Sequence, residues 1–182
     1  MPPLGAKAMR EPFEDEVEEM GIIDLVIEDE RWEDADLMGM AERAAHAVGE
    51  WLGLEQFQVV VMGCDDQRIA GLNAEFRDKP RPTNVLSWPA MEFEEREPGE
   101  APELPEIEEL GDIAISYDTC WREAEAQGKP FADHATHLLV HAILHLAGYD
   151  HIDDQDAETM EDAERAILSK LGIPDPYLEM ET

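Results

Sequence analysis

The sequence predicts an α+β fold: a single domain in which a small, about four-stranded mixed sheet packs against about five helices. Three observations predict it. The chain has 182 residues, 43% of them hydrophobic, which suits one core in one compact domain. Four short runs read as strands and about five stretches as helices, partly segregated along the chain. No run of about 18 apolar residues occurs, so no membrane span is expected.

Residues 1–20, MPPLGAKAMREPFEDEVEEM, hold six acids and no apolar centre, so neither a secretory signal nor a transit peptide is expected. Residues 1–18 read as a flexible acidic extension, 19–178 as the domain and 179–182 as a tail. IIDLVIE (22–28) reads as a strand. Leu37, Ala41, Ala44, Ala45, Val48, Trp51 and Leu52 recur with helical period, which predicts a helix over 37–53 ended near Gly53. FQVVVMG (57–63) is a β-branched strand, and 65–77 a short helix with Asp65 as its N-cap. Two prolines make DKPRPT a turn, and Pro89 stops a strand over 84–89. EFEEREPGEAPELPEIEE (92–109), with nine acids and three prolines, reads as a surface loop. A strand over 111–116 follows, then helices over 117–127, 131–147 and 153–172; Gly148 suits the left-handed position just past a helix.

Composition narrows the environment. Two cysteines, Cys64 and Cys120, make no disulfide framework and read as buried free thiols. Together with the N-terminus this points to a cytoplasmic protein. The net charge of −32, from 45 acidic and 13 basic residues, repels polyanions at long range. Its distribution is uneven. Between Gln67 and Ala90, Arg68, Arg77, Lys79 and Arg81 face only Glu75 and Asp78, which makes this stretch the one net-positive island.

The chemistry concentrates in HAILHLAGYDH (141–151). On the helix 131–147, His134, His137, His141 and His145 line one stripe beside the core stripe of Ala135, Leu138, Leu139, Ala142 and Leu146. His141 and His145 stand one turn apart, the spacing by which a helix offers two nitrogens to one metal ion. Gly148 lets the chain fold back, so that His151 supplies a third ligand. Three imidazoles suit zinc, and would also bind nickel, copper or iron. Three protein ligands leave one coordination place open, as catalytic sites do. Asp150 is placed either as the carboxylate orienting a ligand histidine or as a turn-forming residue. His134 and His137 read as hydrogen-bonded histidines bordering the core, with His137 the nearer support to the site. The histidine spacing also matches that of metzincin peptidases, but where those carry a glutamate base this chain has Ala142.

Three stretches carry a resemblance. LLVHAILHLAGYDH is similar to the signature H-G-x-L-H-L-x-G-Y-D-H of the YbeY family of bacterial endoribonucleases. LNAEFRDKPRPTNVLSWP (72–89) resembles the family's L-N-x-x-[YF]-R…P-T-D-V-L-S-F-P, and LGDIAIS (110–116) its L-G-D-I-x-I-S. Ala142, Asn84 and Trp88 depart from the pattern, which has glycine, aspartate and phenylalanine there; none of them is an expected ligand. The resemblance implies one zinc ion per chain held by His141, His145 and His151, with an important arginine at Arg77. It implies a single-strand-acting endoribonuclease in ribosomal RNA maturation, at the 3′ end of 16S rRNA, and in ribosome quality control. The partners would be precursor rRNA, the small ribosomal subunit and assembly factors, with no membrane and no DNA.

Arg77 sits in the positive island, where a guanidinium can meet two oxygens of a charged phosphate; the plainer role is charge compensation at a helix C-terminus. Lys79 and Arg81 are placed on neighbouring phosphates or on a solvated loop. Two rival readings stand beside the nuclease: a metallohydrolase of another substrate such as peptide, and a ribosome-assembly adaptor whose metal is mainly structural.

Overall fold

A computed structural model describes residues 23–54, 56–91, 93, 96–102 and 109–177. The expected extension at 1–18 and tail at 179–182 lie outside these residues, as does part of the acidic stretch 92–109. The elements run β1 (Ile23–Ile27), α1 (Arg31–Asp34), α2 (Leu37–Leu52), β2 (Gln58–Cys64), α3 (Asp66–Arg77), β3 (Val85–Pro89), β4 (Glu109–Ser116), α4 (Tyr117–Gln127), α5 (Phe131–Leu146) and α6 (Asp154–Lys170). The four strands and five helices expected from the sequence are all present, so the α+β single domain stands. The addition is α1, a single turn started by the Asp29 carboxylate accepting from the Arg31 backbone N–H at 2.9 Å. It buries Trp32, whose indole N–H donates to the Cys64 carbonyl at 3.1 Å.

The sheet order is β1-β2-β4-β3, with β1, β2 and β4 parallel and β3 antiparallel to β4. Parallel neighbours need crossovers, and α2 and α3 supply them. The strand alternation sends Val59, Val61, Ile113 and Ile115 into the larger core, shared with α2, α5 and α6. Met62, Cys64 and Ala114 face the smaller core under α3, with Ile69 and Leu72. β4 starts earlier than its sequence pattern suggests. Gln58 pairs with Glu109 and Val59 with Gly111, so Leu110 is an extra residue at a bulge. Gly111 has φ 144°, and a Cβ there would stand 2.2 Å from the Trp88 carbonyl oxygen.

Local chemistry explains the ends that frame the site. The Asp65 side chain caps α3 by accepting from the Arg68 N–H at 2.9 Å, as expected. At its other end Asp78 takes the left-handed conformation, φ 59°, and turns the chain away directly after Arg77. α5 is the central beam, packed against α2, α4, α6, β3 and β4. Cys64 and Cys120 are buried free thiols, and burial pushes the Cys64 thiol up to about 12. Among the described residues no helix is long and apolar enough to cross a membrane.

Candidate functional site

His137, His141 and His145 of the α5 stripe face a cleft of about 820 Å³. Its walls are the end of α3 (Phe76, Arg77), the residues 83–88 around β3, the histidines 137, 141, 145 and 151, Glu161 and Glu164 of α6, and Tyr177. The same helix sends Leu139, Val140, Ala142 and Ile143 into the core. One element thus carries the core on one side and the polar site on the other.

Glu164 organises the site from behind. It is wholly buried on α6. Its Oε2 accepts from His141 Nδ1 at 2.6 Å. Its Oε1 accepts from His137 Nε2 at 2.8 Å and from the Tyr177 hydroxyl at 2.5 Å. Burial works to raise its pKa, but the hydrogen bonds from His137 and His141 outweigh that and bring it to about 2. An ionised carboxylate only accepts, so both imidazoles donate to it. Burial, with the Glu164 charge, pushes the Tyr177 hydroxyl far above its ordinary range, so it stays a phenol.

The tautomers follow. Donation from Nδ1 leaves the lone pair of neutral His141 on Nε2. His145 reaches the same state separately, because its Nδ1 lies 3.0 Å from the Tyr149 carbonyl, which accepts only. Burial lowers the pKa of His145 and favours its neutral form. His137 points the other way: its Nε2 is committed to Glu164, and its buried Nδ1 has no partner among the described residues. The His151 ring is exposed, with its centroid 5.2 Å from that of His141. His134, buried, meets Glu123 at 2.9 Å, and Glu123 also accepts from Asn84 at 3.0 Å.

Among the described residues, no three His, Cys, Asp or Glu side chains stand grouped as a ready metal site. The donor chemistry of His141, His145 and His151 nevertheless fits a borderline cation such as zinc. Two of the three rings have Nδ1 engaged and Nε2 uncommitted, the arrangement in which a hydrogen bond behind the ring orients a ligand histidine.

The other expected site residues divide. Arg77 is exposed and lines the cleft, and among the described residues no carboxylate pairs with it. Lys79 and Arg81 are exposed on the following loop and do not line the cleft. The buried Asn73 pins that loop, its Nδ2 donating to the Arg81 carbonyl at 3.0 Å. The Asp150 carboxylate accepts from the Ile152 N–H at 3.3 Å, a turn contact; the carboxylate behind His141 is Glu164. Sequence reasoning passed over Glu164 and Tyr177. The signal for Glu164 was present: it lies on the apolar stripe of α6, between Met160 and Leu168 and four residues from each. An acid at a core position of a helix needs a buried partner.

The fold resembles the solution structure of TM1509 from Thermotoga maritima, with a TM-score of 0.53 and 23% identity, over 83% of this chain and 92% of that one. Residues 24–172 match the family described as Endoribonuclease YbeY. The Endoribonuclease YbeY of Paracoccus denitrificans (strain Pd 1222) is 84% identical over 160 residues, 88% of this chain and 92% of that protein. Its namesake from Cereibacter sphaeroides is 56% identical over 164 residues, 86% of this chain and 98% of that protein. The chain belongs to the YbeY endoribonuclease family.

Proposed function

We propose that this protein is a zinc-dependent endoribonuclease that cuts single-stranded regions of precursor ribosomal RNA. The observation that carries the reading is the meeting, in one cleft, of two tautomer-fixed histidines, His141 and His145, with the guanidinium of Arg77, which no carboxylate pairs among the described residues. The names of the relatives, endoribonucleases along most of their length, support the same reaction class.

His141, His145 and His151 would hold the ion through their imidazole nitrogens. The ion, when bound, supplies Lewis acidity beside the scissile phosphate. Arg77 meets two non-bridging oxygens through its planar fork and stabilises the charge that builds during displacement. Glu164 keeps the lone pair of His141 on Nε2, and Tyr149 does the same for His145. Lys79 and Arg81, on the exposed loop beside Arg77, hold the neighbouring phosphates of the strand.

Ala142 favours phosphodiester over peptide chemistry. It stands where a peptidase of this histidine spacing has its glutamate base, and it is buried in the core. A methyl group moves no proton. The net charge of −32 weakens affinity for free RNA and makes it salt-sensitive. A docked surface on the small ribosomal subunit or an assembly factor supplies the missing affinity, in the cytoplasm, with the 3′ end of 16S rRNA as the maturation site and ribosome quality control as the wider role.

The test is cleavage of precursor rRNA by the zinc-loaded protein and by His141→Ala, with circular dichroism reporting the fold. Lost cleavage in a folded His141→Ala supports catalysis by the site. Unfolding of His141→Ala together with no effect of Arg77→Ala supports the adaptor with a structural metal instead.

A further inference from the structure

Phe93 and the turn at residues 96–102 lie against the start of the loop that carries His151. Gly148 has φ 109°, and a Cβ there would stand 2.8 Å from Pro102 Cβ and 3.0 Å from Cδ1 and Cε1 of the Phe93 ring. The turn is also tied to the start of α6. The Gly99 N–H donates to Asp156 Oδ1 at 2.8 Å, and the Thr159 hydroxyl donates to the Gly99 carbonyl at 2.7 Å. It is stapled internally as well, with Arg96 Nε donating to the Glu100 carbonyl at 2.6 Å. Phe93, Arg96, Gly148, Tyr149 and His145 border one small cleft of about 380 Å³, next to the larger one.

We propose that this part of the acidic β3–β4 connection braces the loop 148–151, fixing the Tyr149 carbonyl that orients His145 and limiting where His151 reaches. Phe93, Pro102, Asp156 and Thr159 are positioning residues: they touch neither the ion nor the RNA and act through the loop. The inference rests on the reading of His145 and His151 as metal ligands, and it gives the acidic connection a function within that site. Gly148 is required twice, for its left-handed backbone and for the space that Phe93 and Pro102 occupy.

The loop carries its own reporters, because the Gly148 N–H donates to the His145 carbonyl and the Tyr149 N–H to the Leu144 carbonyl, each at 3.0 Å. Amide hydrogen exchange of these residues is measured in the full chain without metal, for the wild type, Phe93→Ala, Phe93→Leu and Thr159→Val. Zinc affinity is measured alongside by chelator competition, and denaturation verifies each fold. Phe93→Ala is expected to speed exchange at Gly148 and Tyr149, leave exchange in the middle of α5 unchanged, and weaken zinc binding about tenfold, the loss typical of a removed orienting contact. Phe93→Leu restores most of both. Thr159→Val removes one hydroxyl and gives the same test in milder form if Phe93→Ala does not fold. Unchanged exchange at Gly148 and Tyr149 in folded variants overturns the brace. A wild type that binds no zinc overturns the ligand reading, whatever the exchange data give.

Discussion

Glu164 on α6 and His141 on α5 are joined by a 2.6 Å hydrogen bond between a fully buried carboxylate and an imidazole Nδ1. The bond crosses two helices and sets which nitrogen of His141 is free. Replacing Glu164 by glutamine leaves one acceptor and turns an amide N–H toward a ring N–H. Glu164→Gln is expected to lose about 1–3 kcal/mol of stability in urea denaturation, the cost of a buried unmatched donor. Zinc affinity should fall about 10- to 100-fold by chelator competition. A variant as stable and as tight as wild type would remove Glu164 from the site.

Arg77 gives the complementary result. It is exposed and, among the described residues, has no ion-pair partner, so Arg77→Ala should shift stability by no more than about 0.5 kcal/mol. Cleavage of RNA should fall about 100- to 1000-fold, the usual loss for one donor aimed at transition-state charge. Arg77→Lys keeps the charge without the fork and should recover only part of the rate. Equal rates for all three proteins would mean that Arg77 only balances the end of α3.

Acid sensitivity has an identifiable source away from the cleft. The Asp118 carboxylate is held below the ordinary aspartate value of 3.8, first by the hydrogen bond from Arg31, with burial opposing. It accepts from Arg31 at 2.8 Å and from the Asp66 backbone N–H at 3.0 Å, tying α1 and α3 to α4. Its folded pKa is depressed, so its contribution is fully present above 3.8 and is lost as pH falls below that value. Urea midpoints should therefore separate wild type from Asp118→Asn near neutrality and converge toward pH ~2. A gap that stayed constant with pH would show that the charge of Asp118 contributes nothing.

Gly148→Ala probes the loop from the glycine side. A Cβ meets Pro102 and Phe93, and the left-handed φ of 109° adds strain. The expected cost is about 1–3 kcal/mol in stability, with weaker zinc binding. A lowered thermal midpoint with intact affinity would mean that the loop re-forms around the ion.

Much of the fold was legible because its signals are local. Pro89 stops β3, Gly53 and Gly128 end α2 and α4, a β-branched run fills β2, and the α5 stripe separates core from site from His137 to His145. The spacing of His141 and His145 predicts a shared face, and both do line the same cleft. What could not be read depends on contacts across the chain. α1 has too few residues for a period, and Trp32 is buried through the β2 carbonyl it binds. Asp150 is near the histidines in sequence, whereas Glu164 is near them in space, brought there by the packing of α6 on α5. Tyr177 lies beyond the last helix and meets Glu164 only because the chain returns past Ile173, which packs on the larger core.

Since α5 is at once the central helix and the bearer of His137, His141 and His145, the wall of the cleft that carries them has no independent melting unit. Heat should abolish cleavage and cooperative structure at a single temperature. No warm, folded but idle species should accumulate, and attempts to retune the histidine face will be felt first as changes in solubility and yield.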